Sequence, residues 1–260
     1  MTDTVIIIPA RYGSTRLPGK PLIDIAGKTM VERVWRLAMQ VTGVSAVLVA
    51  TDDDRIAEEV ESFGGEAVMT PEACKNGTER ALAAVEAKGL SPDVVINLQG
   101  DAPLTPPWVI QAMVDEMASG ETHADICTPA TRLTGDKLAY FLREKEITPQ
   151  TGTSVVMDKN QNALYFSKSI LPFSRNAREE VFRHVGLYAY RFDVLKALCA
   201  LPESPLEQAE KLEQLRALEN GYSIKVTIVD YRGRSHASVD ALEDVARVEA
   251  ILASEGEPTL

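Results

Sequence analysis

Short apolar runs alternate with amphipathic stretches across the first hundred residues, and few architectures accept that rhythm. Val5 to Ile8 reads as a strand buried on both faces. Met30 to Val41 has helical spacing, with Val31, Val34, Leu37, Ala38 and Val41 on one side. A strand at Ala46 to Ala50, a helix at Asp54 to Phe63 closed by Gly64-Gly65, and a strand at Glu66 to Met69 follow. Thr78 to Lys88 predicts a helix and Val94 to Leu98 another apolar strand. Such alternation calls for an α/β fold, a mainly parallel sheet with helices on both faces.

Polar residues stand directly after these strands: Arg11, Thr51-Asp52, and Gln99-Gly100-Asp101. Ligands of open α/β sheets bind outside the carboxyl ends of the strands, so these positions are expected to share one crevice. From about Asp125 the pattern turns to shorter strands at Asp125 to Pro129, Ser154 to Met157 and Val185 to Tyr190. A helix at Leu206 to Glu219, a strand at Ile224 to Val229 and a helix at Ala241 to Ala253 complete the chain. The expectation is one domain over residues 1–260 with a smaller inserted lobe at about 125–200.

Composition narrows the function. The longest apolar runs are far below the roughly 18 residues of a membrane span, and no basic, apolar leader opens the chain, so a cytoplasmic protein without membrane insertion is expected. A net charge of −11, from 27 basic and 38 acidic residues, repels a phosphodiester backbone and argues against a nucleic-acid partner. Cys74, Cys127 and Cys199 form no CxxC or Cys/His pattern and read as buried, reduced thiols.

Against that acidic background, the segment Pro9 to Pro21, PARYGSTRLPGKP, carries Arg11, Arg16 and Lys20 and no acid. Cations, glycines and hydroxyls on a loop leaving a buried strand suit a polyphosphate. The loop is not a Walker A motif, because five residues separate Gly13 from Gly19 and Pro21 replaces the magnesium-binding hydroxyl. Nor is it the GxGxxG of a dinucleotide site.

PARYGSTRLPGKPL, with ATDDDRI, NGTER, NLQGDAPL, HVGLYAY, SPLEQAEKLEQLRALENG and SVDALEDVARV in that order, closely resembles the 3-deoxy-manno-octulosonate cytidylyltransferases, the CMP-Kdo synthetases, over essentially the whole chain. The resemblance implies a three-layer, nucleotide-diphospho-sugar transferase-like (Rossmann-like) fold and a homodimer formed through the lobe. It also implies that CTP and a 3-deoxy-ulosonic acid such as Kdo give a CMP-sugar and pyrophosphate with Mg2+, for lipopolysaccharide or other cell-envelope polysaccharide. Arg11, Ser14, Arg16 and Lys20 match the family's triphosphate loop, Lys20 and Arg16 with Asp101 being the expected catalytic groups. Asp101 and Asp240 fall where the family binds magnesium; an Asp just before a helix, as Asp240 is, is otherwise often a cap.

Asn76, Gly77, Thr78 and Arg80 are the expected nucleotide-selecting residues, with backbone amides reading the base edge and Arg80 donating to its carbonyl. A plainer reading is a helix cap at Asn76 or Thr78 with Arg80 paired to an acid. Gln99, Arg175, His184, Tyr188, Glu213 and Gln214 match the sugar-acid pocket, and Lys168 is expected to join them; without the motif, His184 alone reads as a packed residue. Helical spacing aligns Glu207, Glu210 and Glu213 or Gln214, and for Glu207 and Glu210 a solvated face is expected.

Four departures from the family pattern stand near the site: Ala102 for Glu, Lys168 for Arg, Asn76 for Ser, and Thr153-Ser154-Val155-Val156 for VKVV. Lysine does not reproduce a bidentate arginine contact, so a modified sugar such as 8-amino-Kdo stays open. A CMP-sialate or sugar-1-phosphate nucleotidyltransferase stays open too, as does an inert sugar-nucleotide sensor.

Overall fold

The computed structural model describes residues 2–13, 17–120 and 123–260. Its centre is β1 (Thr4–Ala10), flanked in parallel by β4 (Ala46–Thr51) and β6 (Val94–Asn97), with β5 (Glu66–Met69) outside β4. The sheet continues through β11 (Tyr188–Arg191), β7 (Ile126–Leu133), β10 (Val181–His184), β8 (Thr153–Met157) and β9 (Ala163–Ser167), while β12 (Ile224–Val229) also pairs with β7. β1, β4, β5, β6, β7, β8 and β12 run one way, and β9, β10 and β11 the other.

The two-residue alternation of β1 explains the layers. Ile6 and Ile8 pack on one face with α1 (Met30–Ala38), α2 (Asp54–Ser62) and α4 (Pro107–Ala118). Val5 and Ile7 pack on the other with α3 (Gly77–Ala87), α6 (Phe192–Ala200) and α8 (Gln214–Glu219). A strand buried on both faces has no polar side to spare, which is why its sequence is apolar throughout. A third cluster joins the hairpin β2 (Asp24–Ile25) and β3 (Lys28–Thr29) to α9 (Leu242–Glu255), through Ile25, Leu104, Val239 and Val248. No described helix is long and apolar enough to cross a membrane.

The expected strands and helices up to Leu98 are present within a few residues of their boundaries. α4 is absent from the sequence expectation, although Pro107 at its first turn and Val109, Ile110, Met113, Val114 and Met117 on its buried side are ordinary helix signals. α5 (Gly135–Ile147) buries only Leu138, Phe141 and Lys145, too thin a stripe to announce itself.

Three expectations are corrected. The single strand Val185 to Tyr190 is instead a turn over 185–187 followed by β11, and β10 ends just before it at His184, so the chain turns between two strands that each pair with β7. The single helix Leu206 to Glu219 is broken into α7 (Pro205–Glu210) and α8 by Lys211, which adopts left-handed φ 54°. Of the three thiols, only Cys127 is buried; Cys74 and Cys199 are partly exposed.

At the carboxyl ends of β1 and β6 the backbones nearly touch. A Cβ on Gly100 would lie 2.5 Å from the carbonyl oxygen of Pro9, which no side chain can relieve because both partners are main chain. Gly100→Ala is expected to lower the melting temperature by about 4 °C, from overpacking of about 2 kcal/mol in a chain of this size. Gly186→Ala, where nothing lies within 4 Å, should leave it unchanged. Equal melting temperatures for the two variants would show that the approach of the strand ends is slack.

Candidate active site

Past the loop that leaves β1, Lys20 is the first residue of a single 3-10 turn, Lys20–Leu22. Lys20 Nζ donates to Asp101 Oδ2 at 2.9 Å and to Asp240 Oδ1 at 3.3 Å. Its side chain is 13% exposed, against 38% and 43% for the two carboxylates. Asp101 lies in the turn after β6 and Asp240 ahead of α9; the Val239 amide donates to the Asp101 carbonyl at 3.0 Å and draws these segments together.

Asp240 is not the helix cap. The amides of Asp240 and Ala241 donate to Asp244 Oδ2 at 2.8 and 2.9 Å, so Asp244 does the capping while the Asp240 carboxylate meets Lys20. The two carboxylates share one cation and remain partly open to solvent. Hard oxygen donors in that arrangement suit magnesium, which takes one or two carboxylates and completes its shell with phosphates and water. Arg11 is exposed just beyond β1, whereas Ser14 and Arg16 lie outside the described residues.

The first turn of α3 faces the same place. A Cβ on Gly77 would lie 3.4 Å from Pro9 Cγ and 3.7 Å from Gln99 Oε1, so the helix start abuts the ends of both β1 and β6. Asn76 caps α3, its side chain accepting from the Glu79 amide at 2.8 Å. Arg80 is 2% exposed and donates to Asp52 Oδ2 and Thr70 Oγ1, both at 2.7 Å. Thus the cap and the ion pair of the plainer reading are both present. The Arg80 guanidinium is anchored beneath the helix start rather than presented openly.

Thr78 also turns inward. Its hydroxyl accepts from Asn97 Nδ2 at 3.4 Å and stands near Glu213 and Tyr190. The side chain therefore joins the helix start to the residues matched to the sugar acid. The first turn of α3 still presents backbone N–H groups, but the Thr78 side chain belongs to the buried network.

That second set gathers around Tyr188. His184 lies 5.5 Å from the Tyr188 ring and 5.0 Å from Phe166, and Tyr188 stacks on Tyr190 at 5.8 Å. The Thr128 hydroxyl donates its proton to the Leu187 carbonyl at 2.7 Å, so His184 Nε2, 2.9 Å from Thr128 Oγ1, carries a proton and donates to it. Burial, with the positive charge of Lys168 nearby, holds the His184 pKa down to about 3. The imidazole is neutral at ordinary pH and supplies a hydrogen bond, not a charge.

Glu213 lines the cavity beside Tyr188, Tyr190 and Gln214, and burial raises its pKa against the pull of the Thr78 hydroxyl and Arg216. Gln214 is buried with Nε2 unpartnered. Lys168 is half-buried, its ammonium disfavoured by burial and supported by Glu210. Arg175 is exposed on the loop between β9 and β10 and takes no part in this hydrogen-bonded set.

The solvated acidic face expected for Glu207 and Glu210 is not formed. Glu207 is buried and accepts from Arg216 Nε at 2.8 Å, closing α7 onto α8. Glu210 accepts from the Ser167 hydroxyl at 2.6 Å and the Lys168 amide at 2.8 Å. The break at Lys211 turns the stripe into two separate contacts. Asp52, Thr128, Tyr190 and Glu210 thus belong to the site's supporting structure, and only Asp52, in its run of three aspartates after a strand, carried a local signal.

Residues 5–226 match the family model described as Cytidylyltransferase. The chain is 53% identical over 257 residues to the 3-deoxy-manno-octulosonate cytidylyltransferase of Maricaulis maris, covering 98% of this chain and 99% of that protein. It is 42% identical over 252 residues to the 8-amino-3,8-dideoxy-manno-octulosonate cytidylyltransferase of Shewanella pealeana, covering 96% and 98%. The solved structure of CMP:2-keto-3-deoxy-manno-octonic acid synthetase complexed with CTP superposes with a TM-score of 0.87 at 39% identity, covering 98% of this chain and all of that one.

Burial likewise lowers the pKa of His236, packed edge-on against Tyr231, to about 4. Both imidazoles are neutral in folded and unfolded chains above pH 6.5, where their contribution is complete. Below it only the unfolded chain binds protons, so stability falls as pH drops toward these depressed values, by up to about 1.4 kcal/mol per pH unit for each ring. Urea unfolding between about pH 7 and about pH 5 should show the loss, and His184→Asn should flatten the slope. An unchanged slope in that variant would mean that the folded protein solvates the imidazole.

Proposed function

We propose that this chain, which belongs to the cytidylyltransferase family, joins CTP to a 3-deoxy-ulosonic acid, Kdo or its 8-amino analogue, to give the CMP-sugar and pyrophosphate for cell-envelope polysaccharide. The observation that carries the proposal is the Lys20 ammonium held between Asp101 and Asp240 at the end of a basic loop. In-line attack by the anomeric hydroxyl forms a bond to the α-phosphorus, pyrophosphate leaves, and charge grows on the phosphate oxygens. Lys20, with Arg11, Ser14 and Arg16, meets that charge. Asp101 and Asp240 would hold magnesium, which would supply charge neutralisation for the triphosphate and make the sugar hydroxyl easier to deprotonate.

The remaining roles follow from position. Asn76 fixes the α3 start so that the amides near Gly77 and Thr78 read the cytosine edge, and Arg80 holds that turn in place. Tyr188, Glu213, Gln214, Gln99 and neutral His184 offer hydrogen bonds to a polyol, while Lys168 is the partly buried cation suited to its carboxylate. Arg175 reaches the sugar only if its exposed loop closes over the cavity. A homodimer through the lobe would have exposed apolar side chains to cover there, among them Tyr140, Ile147, Leu164 and Phe173.

Pyrophosphate release should require CTP, magnesium and one of the two sugar acids; release with another triphosphate, or without a sugar acid, would refute this function. Lys20→Ala should reduce turnover by at least about a hundredfold with the fold intact, as expected for loss of a charge-stabilising group. Asp240→Asn should shift the magnesium titration to higher concentration, and an unshifted curve would return Asp240 to a structural role.

A further inference from the structure

The ATDDDRI segment at the end of β4, whose Asp52 anchors Arg80, also touches the basic loop twice. Asp52 Oδ1 accepts from the Tyr12 amide at 3.4 Å while its other oxygen holds Arg80. Arg55 lies with its guanidinium carbon 3.5 Å from the centroid of the Tyr12 ring. Asp53 grips that guanidinium in a fork, accepting from Nε at 2.9 Å and Nη2 at 2.7 Å. The arginine is thus fixed in orientation although its side chain is 58% exposed.

Tyr12 is in turn the residue that closes the loop. Its carbonyl accepts from the Gly19 amide at 3.0 Å, one residue before Lys20. Gly19, at φ 71°, lets the chain pass so close that an added Cβ would lie 3.1 Å from the Tyr12 ring. Ordering a basic loop only when an anion arrives weakens binding.

We propose that Arg55, clamped by Asp53 and stacked on Tyr12, is a positioning residue that holds the two ends of the basic loop at the spacing a triphosphate requires. This rests on the assignment of that loop to CTP. Arg55 acts by shape: the planar guanidinium covers the ring and fills the carboxylate fork, neither of which an ammonium reproduces.

Calorimetric binding of CTP and of inorganic tripolyphosphate, with Michaelis constants for CTP and for the sugar acid, tests it on the full-length protein. Arg55→Ala should weaken binding of both anions by about fivefold and raise the Michaelis constant for CTP alike, leaving that for the sugar acid within about twofold. Arg55→Lys should behave as Arg55→Ala, whereas Tyr12→Phe, which keeps the ring, should bind as the parent does. Tyr12→Ala combined with Arg55→Ala should be no weaker than either alone. Full rescue by Arg55→Lys, or losses that multiply in the double variant, would make Arg55 a direct charge on the nucleotide and overturn the proposal. Unchanged binding in Arg55→Ala overturns it too. A parent protein that binds neither anion refutes the assignment of the loop itself, and the clamp's purpose with it.

Discussion

One ammonium between two carboxylates organises the crevice. Lys20 meets Asp101 and Asp240 only where three remote segments converge, and much of the fold serves that meeting. Gly100 permits β6 to end against Pro9, the Val239 amide ties the approach to α9 onto Asp101, and the small cluster of Ile25, Leu104, Val239 and Val248 packs the hairpin after Lys20 against α9. Two carboxylates at close range repel each other, so a cation between them stabilises the apposition. The same arrangement gives a triphosphate and its counter-ion a place defined before they arrive.

The two halves of the crevice are joined by buried polar contacts rather than by apolar packing alone. Arg80 links Asp52 and Thr70 beneath the α3 start, and Thr78 links that turn to Asn97 beside Tyr190 and Glu213. Buried polar groups are costly unless satisfied, so each bond restricts where its partners can stand. Displacing α3 would disturb the cavity around Tyr188 as well as the nucleotide side. Such coupling suits a reaction in which two substrates must be aligned along one phosphorus.

Much of the central architecture is legible residue by residue. The apolar run at Val5 to Ile8 reads as a strand buried on both faces, and the spacing of Val31, Val34, Leu37 and Ala38 reads as a helix that buries one side, as the structure has them. The basic loop stands out because the rest of the chain is acidic. Legibility fails where a local pattern is overruled from a distance. Glu207, Glu210 and Glu213 have the spacing of a solvated helical face, but Lys211 breaks the helix, Arg216 draws Glu207 inward, and Ser167 and Lys168 take Glu210. His184 looks the same in sequence whether packed or polar; the Thr128 hydroxyl and the surrounding rings make it a neutral donor.

By itself the sequence determined the strand and helix order, the basic loop, and the family to which the motifs belong, because periodicity, charge and ordered motifs are properties of neighbours along the chain. Only the tertiary structure decided that Lys20, Asp101 and Asp240 share one point, that Arg80 and Thr78 face inward, and that Arg55 covers Tyr12. These depend on which strand ends lie side by side and which charges lose their water. Distance through space and burial are set by packing between segments up to 220 residues apart, and no local pattern encodes them.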